Sequence, residues 1–519
     1  MSISGMHPAR EPSAQRHSRK VASMDAASVQ RTRQVYPVPG FRFDNTYTRL
    51  PRLFYSKQGA ATVAAPRLVI LNHALAADLG LDLQALDEAE LAAMFSGNRL
   101  PEGTDPFAQA YAGHQFGGFS LLGDGRAVVL GEHLTPDGRR VDLQLKGSGP
   151  TRYSRSGDGR AALGPMLREY VISEAMHGLG IPTTRSLAVV ATGQPVYRER
   201  PLPGAVLTRV AASHLRVGTF QYAAAQGDPA LVAELVEYAL DRHYPHLKDE
   251  ANRGLALLQA VGERQVALVV DWLRVGFIHG VMNTDNVTIS GETIDYGPCA
   301  FMDAHDPTTV FSSIDHQGRY AFGNQPRIIL WNLARFAESL LPSIDADGEK
   351  AVTLATEALH ALGAQFETRW NAMMAGKLGL TGSEPDDRAL CDELLSWMTA
   401  HRADHTNTFR ALAVDRLPSD GAFDDPAFGA WHARWRARLA RQDDGVQAAH
   451  QRMRAVNPAY IPRNHRVEAA LDAGSAGDLA PLRRLLEVLA DPYLEREGLD
   501  DYALPPALDG RVYQTFCGT

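Results

Sequence analysis

One stretch near the middle of the chain restricts the architecture more than any other. A run ending at Phe277 places Val266, Val269, Val270 and Leu273 at i, i+3, i+4 and i+7, the spacing of one apolar helix face. The text then reads His279-Gly-Val-Met-Asn-Thr-Asp-Asn286 and, after a short gap, Asp295-Tyr-Gly297. Between the two, residues 286–290 and 293–296 read as the strands of a hairpin turning at Gly291-Glu292. Closing that hairpin brings Asn286 and Asp295 together as hard oxygen ligands for Mg²⁺ or Mn²⁺. Asp285 stands beside them as a carboxylate free to act on an incoming hydroxyl. The plainer alternative, a capped turn with a structural Asp-Asn pair, leaves the combination of helix, hairpin and Asp-Tyr-Gly unexplained.

The upstream sequence supplies what such a centre needs. Residues 127–132 and 141–146 alternate as strands, and 165–179 reads as a helix opened by Pro165 and closed at Gly178 and Gly180. Ahead of them, Gly123-Asp-Gly-Arg126 forms a tight turn whose backbone can approach a phosphate, with Arg126 as an adjacent cation; an ordinary hairpin turn reads the same way. In Val141-Asp-Leu-Gln-Leu-Lys146 the alternation sends Val141, Leu143 and Leu145 to one face and Asp142, Gln144 and Lys146 to the other. A lysine one hairpin after a Gly-rich turn is how protein kinases hold ATP phosphates, and Glu169 on the next helix lies where its ion-pair partner belongs, with Glu174 as the competitor. Aligning Asn286 with the metal-binding Asn of a kinase catalytic loop puts Val281 where the catalytic Asp would stand, so the usual base is missing.

Composition narrows the class. The 519 residues carry a net charge of −8, a poor match for a nucleic-acid backbone as main partner. No run approaches the ~18 apolar residues of a membrane span, and the three cysteines (Cys299, Cys391, Cys517) are too scattered for a disulfide framework or a Cys-based zinc site. Residues 1–40 are basic, acid-poor and without periodicity, which reads as a disordered tail on a cytoplasmic protein, the alternative being a mitochondrial transit peptide. Helical patterns dominate beyond Leu231, and past Pro342 Trp370, Trp397, Trp431 and Trp435 read as helix-core residues. Asp345-Ala-Asp-Gly348 lacks the remaining ligands of a calcium loop and reads as a turn.

The chain resembles the selenoprotein O (YdiU) family, kinase-like proteins that transfer AMP to protein hydroxyls. The match runs through Phe41-Arg-Phe-Asp-Asn-Thr-Tyr47, Tyr111-Ala-Gly-His-Gln-Phe-Gly-Gly118, Leu145-Lys-Gly-Ser-Gly-Pro150, Ser156-Gly-Asp-Gly-Arg-Ala-Ala162, His279 to Asn286, Ile294-Asp-Tyr-Gly-Pro298 and Phe322-Gly-Asn-Gln-Pro-Arg327, and ends with Asn457-Pro-Ala-Tyr460 and Arg463-Asn-His465. The resemblance implies an α+β, bilobal protein-kinase-like fold with a helical C-terminal extension. Its expected parts are the tail 1–40, an N-lobe-like nucleotide-binding region 41–205, a C-lobe-like catalytic region 206–340 and the extension 341–519.

It also implies ATP bound in reverse, with the α-phosphorus facing the acceptor. Gly123, Gly125 and Arg126 match the family's Gly-rich nucleotide contacts, Lys146 its phosphate-binding lysine with Glu169 as partner, and Asp158 and Gly159 an inserted loop that reaches the nucleotide. Arg209 and Arg216 match a pair of phosphate-binding arginines; seven residues apart, they share a face only on a helix, which Gly218 disfavours. Asp285 matches the proposed general base, Asn286 and Asp295 the metal ligands, and Asp295 also touches the nucleotide. Expected cofactors are ATP as substrate and Mg²⁺ or Mn²⁺; expected partners are proteins bearing Ser, Thr or Tyr hydroxyls, this chain among them, and neither nucleic acid nor membrane. Two departures stand out: the chain ends Phe516-Cys-Gly-Thr519, keeping the family's terminal cysteine without its usual tail, and Arg152 replaces an expected proline. A redox pairing of Cys517 with Cys299 is one reading and a free thiol on a mobile tail the other. The rival functions are a kinase-type phosphotransferase with its base relocated to Asp285 and a catalytically inactive ATP-binding pseudokinase scaffold.

Overall fold

The computed structural model describes residues 35–36, 40–414, 417 and 421–507, so the expectations for Cys517 and for nearly all of residues 1–40 lie outside it. The first part of the described chain is built on a nine-stranded antiparallel sheet. Its strands are β1 (Tyr55–Lys57), β2 (Arg67–Leu71), β3 (Phe107–Gln115), β4 (Gly118–Gly123), β5 (Ala127–Leu134), β6 (Arg140–Lys146), β7 (Ala161–Ala162), β8 (Arg185–Tyr197) and β9 (Pro201–Ala211). The order is β1-β3-β5-β6-β9-β8-β2, with β4 paired to β3 and β7 to β9. The alternation in β6 holds: Val141, Leu143 and Leu145 enter a core shared with the helix Glu88–Phe95. The opposite face is not solvated. Asp142, Gln144 and Lys146 are all buried, and a buried polar side chain needs a partner, which is what turns this face into a site.

Helix α1 (Leu163–Gly178) crosses the sheet and buries Met166, Leu167, Tyr170 and Val171. Helices then take over: α2 (Val217–Ala224), α3 (Pro229–His243), α4 (Arg253–Val275), α5 (Gln325–Ile344) and α6 (Gly348–Lys377). In α4 the four residues of the predicted apolar face are buried, and Gly276 ends the helix at φ 75°, a left-handed cap that glycine adopts without strain. β10 (Phe277–Ile278) and β11 (Ala300–Phe301) pair antiparallel and so close the segment between them into one loop.

Inside that loop the expected hairpin is absent. Residues 286–290 and 293–296 do not pair with each other; Thr288 bridges to Arg216 and Thr293 to Thr183. The turn is instead held locally, where Thr288 Oγ1 donates to Glu292 O (2.7 Å). Backbone partners from other parts of the fold outcompeted the two-residue turn.

The C-terminal helices pack as expected. Trp397, Trp431 and Trp435 are buried, and Trp431 stacks on Trp435 at 5.9 Å between ring centroids. Trp370 is only partly buried, under the Arg388 guanidinium. Asp347 in the predicted turn caps α6 by accepting from Glu349 N (3.0 Å). Helix α7 (Asn464–Ser475) returns to the sheet region, where its Glu468 pairs with Arg168 of α1. No helix among the described residues is long and apolar enough to cross a membrane.

Candidate active site

The polar face of β6 carries the site. Pairing of β6 with β9 sets Gln144 opposite Arg209, and both side chains line a cavity of about 410 Å³. Lys146 Nζ donates to Glu169 Oε2 of α1 (2.7 Å) and to Asp295 Oδ1 (2.6 Å). Arg209 donates through Nε to Glu169 Oε1 (2.8 Å) and through Nη2 to Asp295 Oδ1 (2.7 Å). Two buried cations are thereby bound by two carboxylates, Glu169 buried and Asp295 partly exposed, each charge facing an opposite one, the condition under which buried ions persist. Glu174, the competitor of Glu169, is engaged elsewhere with Arg185 and Asn72.

Arg216 is the residue preceding α2, so the two arginines reach the cavity from a strand and a helix start rather than from one helix face. Its guanidinium lies 3.8 Å from Asp295 Oδ2, 3.9 Å from Asp124 Oδ1 and over the Tyr111 ring at 4.4 Å. Burial raises carboxyl pKa values, but at Asp295 the attraction of Arg209, Lys146 and Arg216 overcomes it and holds the group well below the usual range. At Glu169 burial is likewise overcome by Arg209 and Lys146. Asp295 has φ 62°, a left-handed conformation that aspartate tolerates better than most residues.

Asp285 sits in a tight turn, Thr284–Asn286. Burial pushes its carboxyl up to about 6, with Arg216 opposing. Gln115 Nε2 approaches Oδ2 at 3.5 Å, while the buried Oδ1 has no hydrogen-bond partner among the described residues. The hairpin β3–β4 presses on this turn: Phe116 N donates to Asn283 Oδ1 (3.1 Å) and His114 N to Thr284 Oγ1 (2.7 Å). A Cβ at position 113 would stand 2.3 Å from Asp285 Oδ1, so any larger residue there has to push the carboxylate aside.

Eleven of the residues singled out from the sequence line this one cavity: Gly123, Gly125, Arg126, Lys146, Asp158, Gly159, Arg209, Arg216, Asp285, Asn286 and Asp295, while Glu169 reaches it through Lys146 and Arg209. Asp158 pairs with Arg198 (3.0 Å), and Gly159, at φ 65°, would drive a Cβ to 2.2 Å from Gly149. Asn286 Nδ2 donates to Val281 O (2.9 Å), which leaves its Oδ1 for a hard cation. Asn286 and Asp295 supply hard-oxygen groups to the cavity, and no cluster of three or more His, Cys, Asp or Glu among the described residues could hold a metal. A pair fits Mg²⁺ or Mn²⁺, ions that fill their remaining positions with water and substrate phosphate, and would not fit an all-protein cage.

Sequence reasoning assigned no role to Tyr111, Gln115, Asp124 or Gln144, which line the same cavity. Asp124 stands between the two glycines of the turn and is buried, with Oδ2 accepting from Gln109 N (3.0 Å). The signal that could have found Gln144 was its place on the strand face of Lys146.

Comparison with known proteins bears on this site. Residues 38–490 match the family model described as "Protein adenylyltransferase SelO". The protein nucleotidyltransferase YdiU of Nitrosococcus oceani is 58% identical over 481 residues, 92% of this chain and 98% of the relative. That of Brevibacillus brevis is 58% identical over 482 residues, 93% and 98% of the two chains, and that of Bacillus cereus 55% over 481 residues, 92% and 99%.

Proposed function

The chain belongs to the SelO family of protein adenylyltransferases and is a protein nucleotidyltransferase, and within that activity we propose that it transfers AMP from ATP to Ser, Thr or Tyr hydroxyls of proteins, releasing pyrophosphate. The observation that carries this reading is the single cavity lined by six cations, Arg126, Lys146, Arg160, Arg198, Arg209 and Arg216, with Asp285, Asn286 and Asp295 on its walls. An anion as highly charged as a triphosphate needs such a lining, and the Asp295 carboxylate already engages Lys146 and Arg209 as phosphate oxygens would. The frame is read as kinase-like and bilobal, with 41–205 and 206–340 as the two lobes around the cavity and 341–519 as the helical extension.

Asp285 acts as the general base. Its carboxylate takes the proton of the acceptor hydroxyl as that oxygen bonds to the α-phosphorus and the bond to the β-phosphate oxygen breaks. Arg209 and Arg216 hold the departing pyrophosphate, and Lys146 neutralises the phosphate it touches. A divalent cation held by Asn286 and Asp295 supplies further charge neutralisation on the phosphates when bound. Val281 at the usual base position supports a nucleotide turned so that its α-phosphorus, rather than its γ, meets Asp285.

ATP labelled separately on the α- and γ-phosphorus, incubated with the purified protein, a divalent metal and a protein acceptor, tests the reading. Label retained from the α position alone is expected. Retention from the γ position alone means a kinase with a relocated base; binding of ATP with no label from either means a scaffold.

A further inference from the structure

Gln144 has a feature that its neighbours on the sheet do not explain. It is fully buried (0% exposed), stands opposite Arg209 across the β6–β9 pairing, and lines the cavity. Its Oε1 accepts from Arg209 Nη1 (3.2 Å), a bond that fixes the orientation of the carboxamide because a guanidinium only donates. The Nε2 end is therefore directed away from Arg209, and among the described residues it has no hydrogen-bond partner. A buried amide donor without an acceptor is costly to keep, and a sheet residue whose only task was to hold Arg209 would not need a donor.

The surroundings define what would satisfy it. The cavity wall near Gln144 carries Lys146, Arg209 and Arg216, and the carboxylates that answer them, Glu169 and Asp295, are already engaged. A donor placed among cations meets an oxygen-rich anion. We propose that Gln144 Nε2 donates to a non-bridging phosphate oxygen of the nucleotide's triphosphate tail while Oε1 holds Arg209 against the same tail. Gln144 is thus a binding residue for the β- and γ-phosphates. Glutamate at this position would keep the grip on Arg209 but repel phosphate, and lysine would do the reverse; glutamine does both. The assignment rests on the reading that this cavity takes ATP.

Full-length Gln144→Glu and Gln144→Leu proteins, with ATP, ADP and AMP binding measured by calorimetry, separate the possibilities. The expected result is ATP binding weakened about tenfold or more in both variants, with AMP, which lacks the β- and γ-phosphates, within twofold of the parent. Gln144→Glu keeps the acceptor for Arg209, so parental ATP binding in that variant assigns Gln144 to positioning Arg209 alone and overturns the proposal. Equal weakening for ATP and AMP, or a change in preference between ATP and GTP, overturns the proposal. If the parent binds ATP and both variants match it within twofold, Gln144 alone is wrongly assigned; a parent that binds no ATP overturns the reading of the cavity with it.

Discussion

Replacing Gly113 by alanine tests how tightly the β3–β4 hairpin holds Asp285. The added methyl would lie 2.3 Å from Asp285 Oδ1, 2.8 Å from its Cγ and 2.9 Å from Leu122 Cδ1. An ordinary nonbonded contact is near ~3.5 Å, so the carboxylate has to withdraw by about 1 Å. A displacement of that size in a group that must meet a reacting atom costs roughly 100-fold in rate. Gly113 has no left-handed φ, so alanine adds no backbone strain, and the overpacking cost should stay within about 1–3 kcal/mol. The assay is steady-state transfer from α-labelled ATP beside ATP binding by calorimetry. We expect kcat to fall about two orders of magnitude while ATP affinity moves little, since the atoms nearest the methyl belong to Asp285 and Leu122 and not to the cavity's cations. In the Gly113→Ala, Asp285→Asn double variant the two losses should not add, because both act through one carboxylate. A folded Gly113→Ala protein with kcat within threefold of the parent would refute the reasoning, and so would fully additive losses.

Asp285→Asn alone should lower kcat by about 10²–10⁴ with ATP binding retained, as loss of a general base does. Glu169→Ala removes one of the two carboxylates that answer Lys146 and Arg209, leaving both buried cations to Asp295 alone, and should destabilise the fold by up to about 3 kcal/mol, read from denaturant unfolding. Asp295→Asn should abolish transfer and weaken Mn²⁺ binding measured by titration with ATP present; unchanged metal affinity would remove Asp295 from the ligand set. Glu292, which accepts from Ala212 N and Ser290 Oγ, is raised by burial from 4.5 to about 7. The folded state therefore keeps a proton that the unfolded chain has released, and this contribution to stability declines as pH rises through the window from 4.5 to about 7. Glu292→Gln should flatten that decline and raise stability at pH ~8 by up to roughly 3 kcal/mol, with little effect near pH ~4.

Local patterning determined a good deal of this protein by itself. The period of two in residues 141–146 put Lys146 and Gln144 on one face, the 3.6-residue period before Phe277 gave a buried helix, and the glycines at 123, 125 and 159 marked backbone turns. Each of these depends on interactions within a few residues, which is what a sequence records directly. The eleven residues that the family resemblance singled out line one cavity, but Tyr111, Gln115, Asp124 and Gln144 line it too and had been given no role.

Tertiary structure decided the rest. The hairpin expected over 286–296 is not formed because its strands find partners at Arg216 and Thr183, contacts across about 70 and 110 residues of chain that no local turn signal can report. Arg209 and Arg216 converge from a strand and a helix start, so their spacing in sequence carried no geometric information. Glu169 rather than Glu174 meets Lys146 because α1 is docked on the sheet at one rotation, and Asp142 and Gln144 are buried rather than solvated because helices cover that face. The shifted ionisation of Asp285 and Asp295 belongs to the same level: solvent exclusion and through-space charge act on groups by distance in space, whatever their distance along the chain.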